Sequence, residues 1–439
     1  MMNSAYAARV DALRASYRAA NPLSYEAYRR AGQWMPGGNT RTVLHVDPFP
    51  VVITRGEGAR VHDLDGHAYL DCVGEFSAGL YGHQQSAIHA AIEEALRGGL
   101  TLGAPNRWEA ELAAAVCQRF PALELVRFCN SGTEANVFAL STARAHTGRS
   151  RVVVFDGAYH GGVLTFASGP GALNIPLDTI ILPYNDAAAA RALFATEGHT
   201  IAAVLVEPIL GAGGNIPGTA EFLASLREVC TQSGALLIFD EVKTSRCGPQ
   251  GVQQLVGVTP DLCTLGKYVG GGLPFGAFGG KKSIMERFDP RHPQGLKHAG
   301  TFNNNVISMA AGLAGLTQVY TQARASQFHE QTEAFKARLQ QSIDAAGLPI
   351  QLTGHGSMFS FHYGKTAPQK AADVGAATLA LRLVLYLRCA ELGVRLAGRG
   401  DVYLNLAMSQ DDLDTLHGVL LTALGDAVAA GPDTPKAGA

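Results

Sequence analysis

The sequence predicts an α/β fold: a large domain with a mostly parallel sheet between helices, joined to a smaller domain. Three observations carry this. From about residue 85 to 320, short continuous apolar runs alternate with helical stretches, the pattern of strands buried on both faces. The chain of 439 residues is long enough for one large domain plus a smaller one. It is also 47% apolar yet only 16% charged, with 51 glycines, which fits extensive buried surface and many tight loops.

The elements follow in order. Residues 1–35 read as polar helix, ending where Trp34-Met35-Pro36-Gly37-Gly38 stops it. Phe49–Arg55 and Ala59–Leu70 read as strands, with turns at Gly56, Gly58 and Asp65-Gly66. The apolar runs are Val126–Cys129, Val152–Phe155, Thr179–Leu182, Ala202–Val206, Leu236–Phe239 and Leu262–Leu265. Helical stretches lie between them, among them Arg107–Phe120, Thr133–His146, Ala187–Thr196 and Thr219–Ser233. A long helix over Thr321–Ala345 leads into mixed strands and helices. The domains expected are therefore 76–320 for the large one, with 1–75 and 321–439 supplying the small one.

Composition excludes several classes of function. The net charge of −2 lacks the basic excess of a nucleic-acid surface. No apolar run is long enough to span a bilayer, and the first twenty residues lack a signal-peptide core. The seven cysteines are scattered without a CxxC pair, which argues against a zinc site or a disulfide framework and for a reducing cytoplasm.

In open α/β sheets ligands bind beyond the carboxyl ends of the strands, and three of those ends carry chemistry. After Cys129 comes Asn130-Ser131-Gly132-Thr133-Glu134, with Ser131 and Glu134 in capping-box spacing; a helix start of this kind is a ready phosphate site. After Phe239 comes Asp240-Glu241-Val242. After Leu265 comes Gly266-Lys267, followed by a glycine run. A lysine so placed is partly desolvated, which frees its amine as a nucleophile. Neither Lys267 nor Lys365 completes a phosphate-loop motif, and no GxGxxG or GxSxG occurs, so dinucleotide dehydrogenases and serine hydrolases lose their main support. The three ends make sense together for a phosphorylated pyridine aldehyde: phosphate on Ser131, Gly132 and Thr133, ring nitrogen on Asp240, and aldehyde on Lys267 as a Schiff base. That is the arrangement for pyridoxal 5'-phosphate.

At this point the sequence resembles the class III aminotransferases of fold-type I pyridoxal phosphate enzymes along nearly its whole length. The resemblance rests on Gly58–Asp71, Asn130–Ala135, Gly157-Ala158-Tyr159-His160-Gly161, Glu207-Pro208, Asp240-Glu241-Val242, Gly266-Lys267 and His298–Asn305, in that order. It implies a seven-stranded sheet and a homodimer with shared active sites. It places Tyr159 and Val242 on the two faces of the ring, Glu207 near the cofactor edge, and Thr301 on the phosphate of the partner subunit. His160 reads as a structural neighbour without a catalytic part. Met35-Pro36-Gly37-Gly38 and Asp240–Arg246 look like the glutamate-1-semialdehyde aminomutase branch. The following Asn39-Thr40-Arg41-Thr42-Val43, with Ala78–His83 and Thr301–Asn305, is more similar to the aromatic β-amino acid (β-phenylalanine) aminotransferases. The function implied is transfer of an amino group from a β-amino acid to a 2-oxo acid such as 2-oxoglutarate or pyruvate, by a ping-pong mechanism. An aminomutase-like isomerase and an ω-amine aminotransferase are the alternatives. Arg41 and Arg399 are the candidate readers of the substrate carboxylate. Lys243, at a site usually uncharged in the family that the sequence resembles, has no role in this reading.

Overall fold

The structure, a computed structural model, describes residues 4–167 and 169–431. Its centre is a seven-stranded sheet of β1 (Leu125–Cys129), β2 (Arg151–Phe155), β3 (Thr179–Leu182), β4 (Ile201–Val206), β5 (Leu236–Asp240), β6 (Leu262–Gly266) and β7 (Gly276–Gly280), in the order β1-β7-β6-β5-β4-β2-β3. The six predicted apolar runs are all strands, and the β2–β3, β2–β4, β4–β5 and β5–β6 pairs are parallel. All residues of β4, β5 and β6 are buried, as an all-apolar run between helix layers requires.

The seventh strand is the one the apolar pattern does not reveal. β7 reads Gly-Ala-Phe-Gly-Gly and runs antiparallel between β1 and β6. Its glycines are there because backbone comes too close for a side chain. A Cβ on Gly276 would stand 2.1 Å from the Ser131 carbonyl oxygen, and one on Gly280 2.1 Å from that of Asp261.

Helices start and stop where local chemistry dictates. Gly132–Thr147 begins with the Ser131 hydroxyl accepting from the Glu134 amide at 3.1 Å and ends at Gly148, with φ 69°. Its buried positions, Ala135, Asn136, Ala139, Leu140, Thr142 and Ala143, form the stripe that lies on the sheet. Gln322–Ala345 buries Ala325, Phe328, Thr332, Phe335, Leu339 and Ile343, again at three- and four-residue spacing.

The terminal segments fold together. Ile53–Glu57, Arg60–Asp63 and Ala68–Asp71 form a meander, and Val394–Arg395 adds to it in parallel beside Ala68–Asp71. The first of these strands begins four residues later than the sequence suggests, since Phe49 is spent as a buried ring against Tyr17 and Tyr25. A three-stranded sheet of Ile350–His355, Met358–Tyr363 and Asp401–Tyr403 brings residue 399 back toward the large sheet. Among the described residues no helix is long and apolar enough to cross a membrane.

Candidate active site

The carboxyl ends of β1, β5 and β6 open into one cavity of about 480 Å³. Ser131, Gly132 and Thr133 line it from the first turn of the helix after β1, where backbone amides have no intrahelical acceptor. Asp240 closes β5 and Lys267 follows β6, so neighbouring parallel strands deliver both side chains to the same space. Tyr159, Glu207, Val242, Arg41 and Arg399 also line it. Thr301 is exposed and outside the cavity of its own chain.

Asp240 is a buried carboxylate with four donors. Its Oδ2 accepts from Asn136 Nδ2 and from His160 Nδ1, both at 2.8 Å; its Oδ1 accepts from the Val242 amide at 3.0 Å and from Thr264 Oγ1 at 3.4 Å. Asn136 is itself fixed, donating to the His160 carbonyl at 2.9 Å and accepting from Thr264 Oγ1 at 2.7 Å. Such a network holds the carboxylate in one orientation, as a buried charge requires. The sequence reading missed Asn136. Its signal was a polar residue on the apolar stripe of the helix, one turn after the cap.

Lys267 sits at φ 56°, in the left-handed region, and its Nζ donates to the Phe76 carbonyl at 2.9 Å. Burial lowers its pKa to about 8, helped by the nearby Arg399 charge and opposed by Asp240. The acceptor belongs to an unusual segment: Gly74, Glu75, Phe76 and Ser77 have consecutive φ values of 46°, 47°, 53° and 83°. Three non-glycine residues there cost on the order of 1–2 kcal/mol each. The segment is held by Asp71 Oδ1, which accepts from the Val73 and Gly74 amides, and by Arg246 Nη1, which donates to the Ser77 carbonyl at 2.9 Å.

That strained turn presents Phe76 to two cations. The Arg41 and Arg399 guanidinium carbons lie 5.8 and 5.6 Å from its ring centroid, within cation–π range. Arg41 also pairs with Glu75 at 2.5 Å, at the open side of the cavity. Arg399 is anchored from behind: Nε donates to Asp401 Oδ2 at 2.5 Å and Nη2 to Tyr403 Oη at 3.1 Å. Glu207 accepts from the Tyr159 amide at 2.9 Å and the Gly211 amide at 3.0 Å, while burial raises its pKa.

The lining suits a flat ring that carries an anionic group at one end, with amide donors at the helix start and the Asp240 carboxylate for a protonated ring nitrogen. Val242 is wedged between two glycines: a Cβ on Gly132 would stand 2.6 Å from Val242 Cγ1, and one on Gly266 3.1 Å from it. Backbone thus replaces side chain on both flanks of the valine, while the helix start, the acidic Asp240 and the Lys267 amine converge from three strand ends.

Fold and site together define a fold-type I pyridoxal phosphate transferase, and the chain belongs to the class III aminotransferases: the family described as Aminotransferase class-III matches residues 43–423. The protein is thus a transaminase whose cofactor is pyridoxal 5'-phosphate. It is 47% identical over 412 residues to a beta-phenylalanine transaminase of Variovorax paradoxus, covering 93% of this chain and 95% of that one. A glutamate-1-semialdehyde 2,1-aminomutase of Nitratidesulfovibrio vulgaris (strain DP4) is 40% identical, covering 85% and 92%. The crystal structure of a beta-phenylalanine aminotransferase from Variovorax paradoxus superposes with a TM-score of 0.95 at 44% identity, covering 97% of this chain and 98% of that one.

Proposed function

We propose that the protein is a β-amino acid transaminase of the cytoplasm that moves the amino group of an aromatic β-amino acid to a 2-oxo acid in two half-reactions. The observation that carries this is the pairing, across one cavity, of the Asp240 carboxylate and the Lys267 amine with two arginines on the Phe76 ring. The close similarity to a beta-phenylalanine transaminase supports the substrate class.

In this reading Ser131, Gly132 and Thr133 hold the cofactor phosphate, Asp240 its ring nitrogen, and Tyr159 and Val242 its faces. Glu207 stands at its edge, and Thr301 of each protomer of a homodimer reaches the partner's phosphate. When bound, the cofactor accepts electrons from the substrate carbon that loses its proton. Lys267 carries that proton. With its pKa lowered to about 8 by burial, the amine exchanges protons near neutral pH, and its tether keeps it beside the reacting carbon. His160 and Asn136 position Asp240 and keep it from turning toward solvent. Arg41 and Arg399 fix the carboxylate, which lies one bond further from the reacting carbon in a β-amino acid than in an α-amino acid.

The test compares 3-amino-3-phenylpropionate with 1-phenylethylamine as donors, using 2-oxoglutarate or pyruvate as acceptor. Turnover that requires the acid and an acceptor supports the reading. Turnover without acceptor indicates an isomerase, and equal turnover of the amine indicates an ω-amine aminotransferase. Lys267→Ala should abolish turnover, and borohydride reduction should leave no cofactor mass on the peptide spanning residue 267.

A further inference from the structure

The wall behind Arg399 holds further buried cations, and Lys243, the one that lines the cavity, has no task in the sequence reading. Lys243 lines the cavity, only 9% of its surface is exposed, and no carboxylate among the described residues lies within ion-pair distance of it. Its Nζ makes one hydrogen bond, to Asn215 Oδ1 at 2.7 Å, and lies 5.1 Å from the Tyr403 ring centroid. Asn215 is fully buried and hands the interaction on: its Nδ2 donates to Asp401 Oδ1 at 3.3 Å and to Ser360 Oγ at 2.8 Å. The other oxygen of Asp401 is the one that anchors Arg399. Lys243 and Arg399 are therefore joined through the two oxygens of a single carboxylate.

We propose that Lys243 is a specificity-determining residue for carboxylate substrates: by sharing Asp401 through Asn215, it keeps Asp401 from neutralising Arg399 and leaves the Arg399 charge for the substrate. This rests on the reading of Arg399 as a carboxylate binder. The charge count favours it. Arg399 and Asp401 cancel each other, and of the two further buried cations that face Asp401, Arg382 and Lys243, only Lys243 also lines the cavity that an incoming carboxylate enters. Asp401 is held well below the ordinary carboxylate range although burial works the other way, because Arg399 and Lys243 both favour its ionised form. The groups facing the Lys243 amine are Arg399, Asp401 and Tyr403 from one segment, Glu207 after a central strand and Lys267 after another. Glu207 comes nearest from the cavity side: its Oε2 and Lys243 Nζ both lie within 3.0 Å of where a Cβ on Gly211 would stand.

The lysine is also placed to respond to pH. Burial lowers its pKa to about 7, against the pull of Asp401. The charge is therefore present below that pH and lost above it, and an anion bound at Arg399 must raise the pKa again by linkage.

The test uses the holoenzyme and two probes, 3-phenylpropionate and its neutral amide, in calorimetric titrations. For the wild type the acid should bind more tightly at pH 6 than at pH 8.5, with the amide indifferent. Near pH 7, binding of the acid should take up protons, seen as a dependence of the heat on buffer ionisation enthalpy. Lys243→Met should weaken acid binding at pH 6 by roughly fivefold, leave amide binding alone, and abolish the proton uptake. Wild-type binding of the acid without proton uptake, or an equal loss for acid and amide in Lys243→Met, would overturn the proposal. Arg399→Ala separates the two readings. If it leaves acid binding unchanged, the carboxylate role of Arg399 fails. If it weakens acid binding while Lys243→Met does not, only the role of Lys243 fails.

Discussion

The wedge formed by Gly132, Val242 and Gly266 makes the most direct test of the cofactor cradle. Gly132→Ala adds a methyl group 2.6 Å from Val242 Cγ1 and 3.0 Å from Cγ2, where ordinary contact begins near 3.4 Å. Gly132 has no positive φ, so alanine meets no backbone penalty and the effect is steric alone. The valine must retreat by several tenths of an ångström, and Gly266 stands on its other side. Overpacking of this size costs about 1–3 kcal/mol. Because Val242 and the first turn after Ser131 both line the cavity, the cost should fall on cofactor affinity, a weakening of roughly 5- to 150-fold. Apo-protein would be titrated with pyridoxal 5'-phosphate by fluorescence, with thermal melting as a control for global damage. Val242→Ala removes both clashing methyl groups, so the Gly132→Ala/Val242→Ala double variant should bind more tightly than the two single losses add up to, by at least about 1 kcal/mol of coupling. Wild-type affinity in Gly132→Ala, or simple additivity in the double variant, would refute this account of the wedge.

Other expectations follow from the same geometry. Arg41→Ala should raise the KM for 3-amino-3-phenylpropionate by roughly tenfold or more while leaving 1-phenylethylamine little changed, as steady-state kinetics will show. Asn136→Ala strips one donor from Asp240, leaves the His160 carbonyl without its Asn136 donor, and leaves the Thr264 hydroxyl only its longer bond to Asp240. Stability should fall by about 2–4 kcal/mol in comparative denaturation, and pyridoxal phosphate should be released faster. The uptake rate of pyridoxal phosphate by apo-protein should rise with pH and level off above about 8, since burial brings the neutral amine of Lys267 into play there rather than near 10.5; a rise continuing to pH 10 would contradict it. Gly276→Ala, whose Cβ meets the Ser131 carbonyl oxygen at 2.1 Å, should displace the helix start, and expression should yield protein without cofactor absorbance.

Much of the fold was legible because its central strands are buried on both faces and leave uninterrupted apolar runs. All six such runs became strands within about one residue of their expected ends. Gly276–Gly280 escaped because its buried environment comes from backbone packed on backbone, so the residues that fit there are glycines and the segment reads as a loop. Phe49 misled in the opposite way: an aromatic that reads as strand was instead taken up by the ring cluster around Tyr17 and Tyr25.

The site divides along the same line. Residues at strand ends were legible, because the chain announces them locally: Asp240 directly ends a strand, and Lys267 and the Ser131 turn follow one. The groups that support them were not, because they are assembled across the fold. Asn136 reaches Asp240 over 104 positions of sequence, Lys267 meets the Phe76 carbonyl over 191, and Asn215 meets Asp401 over 186. Nothing local marks Asn215 as the bridge between Lys243 and Asp401. What the sequence did offer was an anomaly, a lysine beside the acidic pair with no task. Burying an ammonium without a carboxylate partner is expensive, so such a residue persists only where something else is gained. The chain of hydrogen bonds from Lys243 to Arg399 identifies that gain as charge left free to meet a substrate.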